Sequence, residues 1–164
     1  MYKRILVPTD GSDTARAGLI EACKLAKGLD AQVRLLYVVE AHLAVPPEVY
    51  GVAYHQVTES LRAGGASALL YAQTAARQLG VAAETQLVEA MGTPVGELIV
   101  KAALEWHADL IVCGTHGRRG LRRIVMGSDA EYIVRHAPVP VLLVRQEGWI
   151  ANAVADTAGA LSGL

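Results

Sequence analysis

The 164-residue sequence predicts a doubly wound α/β fold: one five-stranded parallel sheet in the order 3-2-1-4-5, with helices on both faces. Three observations predict it. Apolar, β-branched runs alternate strictly with longer stretches of 3.6-residue periodicity. The length suits a single domain with a sizeable core. Turn and cap residues fall between the two kinds of segment, and strict β-α alternation in one domain calls for right-handed crossovers onto a parallel sheet. Strands are expected at residues 4–8, 32–39, 82–88, 109–114 and 139–144, and helices at 12–28, 57–80, 93–107 and 128–136.

Each element has its own signal. Ile5-Leu6-Val7 opens the first strand, and Asp10-Gly11-Ser12 offers a turn and an N-cap. In the first helix Ala15, Leu19, Ala22, Cys23 and Ala26 share one face. Gly28 and Gly80 stand where glycines close helices. Thr93-Pro94, with Glu97 three residues on, reads as an N-cap, a proline at the first helical position and a near-capping glutamate. Residues 40–56, with Pro46-Pro47 and no periodicity, form a long connection of the kind used for lids. Residues 1–145 make the domain and 146–164 a tail with one helical pattern, Ile150, Val154, Ala158 and Leu161.

Composition removes several function classes. With 15 Lys+Arg against 16 Asp+Glu the formal net charge is −1, so no general basic field is present for nucleic acid or an anionic membrane. Hydrophobic residues make up 52% and charged residues 19%, which excludes intrinsic disorder. No apolar run reaches the ~18–20 residues of a membrane span, and Met1-Tyr2-Lys3-Arg4 leads directly into a strand, so a cytoplasmic location is expected. Cys23 and Cys113 have no C-x-x-C spacing and are expected as buried apolar residues. The histidines at 42, 55, 107, 116 and 136 show neither metal-ligand spacing nor a triad pattern, so no catalytic residue is assigned and the metal ligands are left open.

A doubly wound sheet binds its ligand beyond the carboxyl ends of the strands, where the winding reverses between strands one and four. The unusual residues gather there. Pro8-Thr9-Asp10-Gly11-Ser12 follows the first strand; Gly114-Thr115-His116-Gly117-Arg118-Arg119-Gly120 follows the fourth and leads to Met126-Gly127-Ser128 at a helix start. Glycines admit close backbone approach, and a helix N-terminus presents unpaired N–H groups at its positive end, a combination suited to phosphate. Glycine spacing alone fits equally well a loop whose glycines serve turns and whose Ser128 serves as an N-cap.

The spacing Gly114-x2-Gly117-x9-Gly127-Ser128 resembles the nucleotide-binding signature of the universal stress protein family, G-x2-G-x9-G-[ST]. Residues 3–12, the second strand and residues 134–144 are similar to that family as well, and the resemblance covers residues 2–145. It implies an ATP-binding stress-response protein, cytoplasmic and dimeric, acting as a nucleotide-dependent regulatory module. It implies adenine and ribose contacts at Pro8, Thr9, Asp10, Val38 and Cys113, and phosphate contacts at Gly114, Gly117, Gly127 and Ser128. The chain departs from the family pattern at Asp129, a carboxylate competing for the phosphate's N–H groups, and at Cys113, a thiol in place of another apolar residue.

Without a P-loop lysine, bound ATP is expected to carry Mg²⁺ or Mn²⁺. Arg118, Arg119, Arg122 and Arg123 form a local basic cluster, read chiefly as a solvated loop and otherwise as a phosphate neutraliser or a dock for an acidic partner. An ATPase or nucleotidyl transferase in the same crevice is the rival function, against which stand the missing H-x-G-H and S-G-G-x-[DS] signatures. A dimeric interaction protein with an empty pocket is the other. Pro140 marks the last strand as an edge, and the uncharged run Val139, Val141, Leu142, Leu143 and Val144 requires a cover. A two-fold homodimer through this strand is expected, with the tail as a possible addition.

Overall fold

The computed structural model describes residues 1–40, 52–115 and 126–145, with the backbone course alone for 52–54. Five strands form one parallel sheet in the expected order: β1 Arg4–Pro8, β2 Gln32–Val39, β3 Ala83–Glu89, β4 Leu110–Gly114 and β5 Val141–Val144, arranged β3-β2-β1-β4-β5. Helices α1 Asp13–Leu29 and α2 Val52–Gln78 cover one face; α3 Val95–Glu105 and α4 Ser128–His136 cover the other.

Successive strand residues point to opposite faces, and both faces are buried. Ile5, Val7, Leu35, Tyr37 and Val112 pack with α1 and α2, while Leu6, Leu36, Ile111 and Cys113 pack with α3 and α4. Ile5, Leu6, Leu35 and Ile111 are fully buried. Each such side chain stabilises the fold by roughly 1.5–3 kcal/mol relative to exposure, which is why these strands read as continuous apolar runs. Both cysteines are buried and free, as expected.

Several boundaries depart from the sequence expectation. α1 runs through Gly28; the left-handed residue that closes it is Asp30 (φ 51°), and the Ala31 N–H donates to Ala26 O at 3.0 Å. Aspartate is among the few residues other than glycine that visit this conformation readily. Gly80 does close α2 with a positive φ. α2 starts at Val52, five residues ahead of the expected 57, so part of the long connection is helix; residues 41–51, Pro46-Pro47 included, lie outside the described residues. α3 starts at Val95, not at residue 93. Pro94, expected as its first helical residue, is instead the N-cap at φ −57° and ψ 142°, and no side chain caps the helix. β5 starts at Val141, not Val139, because Pro140 has no N–H for the ladder; its carbonyl still accepts from the Ile111 N–H at 3.1 Å.

Candidate functional site at the switch point

β1 pairs with β2 over its whole length, to Pro8↔Leu36, but pairs with β4 only at Ile5↔Leu110 and Leu6↔Ile111. The β1–β4 ladder therefore stops before the carboxyl ends of the two strands, and the switch-point crevice that the winding rule places there falls between 8–10 and 113–115, with Val7 and Val112 themselves fully buried. β4 continues along β5 as far as Gly114↔Val144, so the parting belongs to the β1–β4 seam.

On the β1 side, the Thr9 N–H donates to Leu36 O at 2.8 Å, which extends the ladder one residue beyond Pro8 and buries Thr9. Asp10 then turns the chain: its Oδ1 accepts from the Ser12 N–H at 2.9 Å, while Ser12 Oγ accepts from the Ala15 N–H and caps α1. Asp10 thus holds the turn that starts α1 at the lip of the crevice. Val38, on the neighbouring strand, faces the α3–α4 side and packs at the edge of that core.

On the β4 side, Cys113 is 5% exposed in the α3–α4 core. Burial pushes its thiol up to about 11, so it is a neutral apolar wall at neutral pH. Gly114 has a structural duty that its spacing concealed. A Cβ there would lie 2.8 Å from the carbonyl carbon and oxygen of Thr14, so the missing side chain lets the first turn of α1 rest on β4. Gly18, one turn on, makes ordinary contact with the backbone at Cys113 and Gly114.

Thr115, which the sequence reading passed over, organises the rest. Its N–H donates to Val144 O at 3.1 Å, and its carbonyl accepts from the Gly127 N–H at 3.0 Å. The start of α4 is thereby tied to the end of β4. The only sequence signal for Thr115 is its place one residue beyond a central strand. Gly127 is the N-cap at φ −63° and ψ 149°, without a side-chain cap, and the Glu131 N–H returns to its carbonyl at 2.9 Å. Any residue adopts those dihedrals, so the backbone does not demand glycine there. Ser128 and Asp129 are exposed in the first turn.

Pro8, Thr9, Asp10, Val38, Cys113, Gly114, Gly127 and Ser128 accordingly lie on adjacent strand ends and the helix tied to them. Gly117, His116 and the arginines at 118, 119, 122 and 123 lie outside the described residues. Among the described residues no group of three or more His, Cys, Asp or Glu is placed to hold a metal.

Two other polar features are separate from the crevice. Arg62 on α2 bridges Glu59 and Glu89, the latter at 2.5 Å, and holds the Glu89 carboxyl below its usual range. A hollow of about 320 Å³ bordered by Gln73, Arg77, Gly80 and Val81 sits where α2 turns into β3, at the opposite end of the sheet.

A five-stranded parallel sheet with helices on both faces and its winding reversed between β1 and β4 places the chain among the doubly wound α/β proteins. The chain belongs to the universal stress protein family, whose model matches residues 1–145. Universal stress protein MJ0531 of Methanocaldococcus jannaschii is 39% identical over 146 residues, 89% of this chain and 84% of that one. A putative universal stress protein of Staphylococcus haemolyticus, SH1215, is 37% identical over 147 residues, covering 89% and 86%. Among solved structures, a Burkholderia pseudomallei family member superposes with a TM-score of 0.71 at 35% identity, covering 87% of this chain and 96% of that one. UspA from Lactobacillus plantarum gives 0.76 at 28%, covering 88% and 98%. The universal stress protein from Archaeoglobus fulgidus in complex with dAMP shares the fold, with a TM-score of 0.61 at 24% identity, covering 87% and 98%. No helix among the described residues is long and apolar enough to cross a membrane.

Proposed function

We propose that the protein binds ATP, with Mg²⁺ or Mn²⁺, in the β1–β4 crevice and acts as a cytoplasmic, nucleotide-dependent regulatory module of the stress response. One observation carries the reading: Gly127 opens α4 without a side-chain cap, at dihedrals open to any residue, on the rim of the parted strands. A glycine at this position admits close approach of a ligand to the first N–H groups of α4. The resemblance of Gly114-x2-Gly117-x9-Gly127-Ser128 to the family's nucleotide-binding signature, and the dAMP held by the Archaeoglobus fulgidus protein of the same fold, support the same ligand class.

The residues present suit such a group. Pro8, Thr9, Asp10, Val38 and Cys113 are assigned to base and ribose, and Gly114, Gly117, Gly127 and Ser128 to the phosphates. The cation would come with the phosphates, whose oxygens are the hard donors Mg²⁺ and Mn²⁺ prefer. Bound ATP alters a surface that a partner reads, so binding itself is the signal. The protein works as a homodimer through β5, whose four residues are all only half-buried in the single chain.

Equilibrium binding of labelled ATP, with phosphate release followed in the same sample, tests the reading. Saturable binding with no turnover is expected. Turnover at enzymatic rates makes the protein an ATPase or transferase, and absence of binding makes it an interaction protein.

A further inference from the structure

The outward faces of the helices are not alike. α1 turns Arg16, Lys24 and Lys27 to solvent, and α3 turns Glu97, Lys101 and Glu105. α2 carries no charged residue between Arg62 and Arg77, although Ala63, Ala66, Ser67, Leu70, Tyr71 and Thr74 on that stretch are all exposed. Leu70 is 64% and Tyr71 63% exposed, more than any other large apolar side chain of a helix among the described residues. Ser67 Oγ donates to Ala63 O at 2.9 Å and Thr74 Oγ1 to Leu70 O at 2.8 Å. Both hydroxyl protons are thereby satisfied within the helix, which suits a face that loses its water.

Glu59 and Arg77, both exposed, bracket the stretch. They stand five helical turns apart, so they lie on one line of the face about 27 Å from each other. Glu59 also pairs with Arg62 of its own helix, yet its side chain is still 67% exposed. A charge-free centre that holds an aromatic, with charges at the rim, has the composition of an interface. The charges at its ends name the occupant. A helix laid antiparallel across this face needs a base opposite Glu59 and an acid opposite Arg77, and α2 of a second copy carries both at the required spacing. A two-fold axis level with Ala68 sets Glu59 of each copy against Arg77 of the other, and each Leu70 against the small Ala66 and Ser67 opposite.

We propose that the outward face of α2 is a second self-association surface, on which two copies pair antiparallel with Glu59–Arg77 ion pairs at both ends. The face lies over β2 and β3, on the half of the sheet away from β5, and its pairing depends on neither the crevice nor a ligand. A single helix face provides less than the roughly 1,200 Å² of a stable interface, so the pairing is reversible and weaker than a contact through β5.

The experiment is sedimentation equilibrium of the full chain at rising concentration, for the parent, Leu70→Glu, Glu59→Arg, Arg77→Glu and an equimolar mixture of the last two. The parent should show a weak association step at high concentration, and Leu70→Glu should remove it. Glu59→Arg or Arg77→Glu alone sets like charges against each other and should weaken the step at least about tenfold. In the mixture every facing pair is again of opposite sign, so the step should return to within about threefold of the parent. Thermal unfolding checks that the variants fold, as substitutions at exposed positions should. No such step in the parent, a step indifferent to the charge reversals, or a mixture no better than the single variants overturns the proposal. A step seen only in a chain ending at Glu147 overturns it too, and assigns the face to the chain's own residues 148–164.

Discussion

The two ends of the sheet use the same kinds of residue to opposite effect. At the amino ends of the strands the crossings from β1 to β4, from β1 to β2 and from β2 to β3 are tied. The Asp109 Oδ2 accepts from the Lys3 and Arg4 N–H groups at 2.8 and 2.9 Å, the Asp109 N–H donates to Arg4 O, and the Gln32 N–H donates to Lys3 O. The Arg34 guanidinium lies 4.5 Å from the Trp106 ring centroid and pairs with Glu84 at 2.7 Å. At the carboxyl ends β1 and β4 part, a helix begins without a side-chain cap and Asp129 stands unpaired among the described residues. A carboxylate that closes a seam between distant segments serves stability, and one exposed in a first helical turn leaves the seam to other groups. The contrast separates Asp109 from Asp129, two residues that composition counts alike.

The lateral edges offer the largest test. β3, at one edge, carries Glu84 and Glu89, whereas β5, at the other, carries no charge. If β5 is unfinished because a second copy completes it, Leu142→Asp combined with Val144→Asp should abolish association, while a chain ending at Glu147 should remain dimeric. Sedimentation decides it: a monomeric parent, or a fully dimeric charged variant, removes the interface.

The two signature glycines should fail in different ways. Gly114→Ala drives a methyl against the Thr14 backbone and should cost about 2 kcal/mol, lowering Tm by roughly 6 °C. Gly127→Val meets no dihedral strain and should fold normally while binding ATP at least about tenfold more weakly, roughly 1.4 kcal/mol. Thermal unfolding and ATP titration of both variants check the pair. Equal loss of affinity with no loss of stability in each would erase the distinction between them.

The smallest effect is expected at the closed end. Asp109→Ala removes a charge-assisted acceptor of two N–H groups, and because the site is solvent-screened the cost should be about 1 kcal/mol. Those N–H groups hold the Asp109 carboxyl below its usual range in the folded chain. A depressed folded pKa stabilises above the unfolded value of about 3.9 and loses that stabilisation as pH falls through the lowered one. Denaturant unfolding should therefore separate parent from variant fully at pH 7 and progressively less below about pH 4. A gap that persists undiminished in acid would assign the effect to packing.

The alternation of apolar runs and amphipathic stretches determined the architecture by itself, because a strand buried on both faces and a helix buried on one leave different periodicities. Strand order and crevice followed from winding rules, and the placing of Pro8–Asp10, Cys113–Gly114 and Gly127–Ser128 at one end followed from them in turn. Tertiary structure alone decided which glycine does what. Gly114 is required by a helix that approaches from the far side of the chain, whereas the dihedrals of Gly127 are open to any residue. It also decided that Thr115 ties α4 to β4 and that Asp109 closes the seam on residues more than one hundred positions away. Local pattern reports periodicity and turn chemistry over a few residues. A hydrogen bond between distant segments leaves no periodic trace, so its donors and acceptors emerge only when packing brings them together.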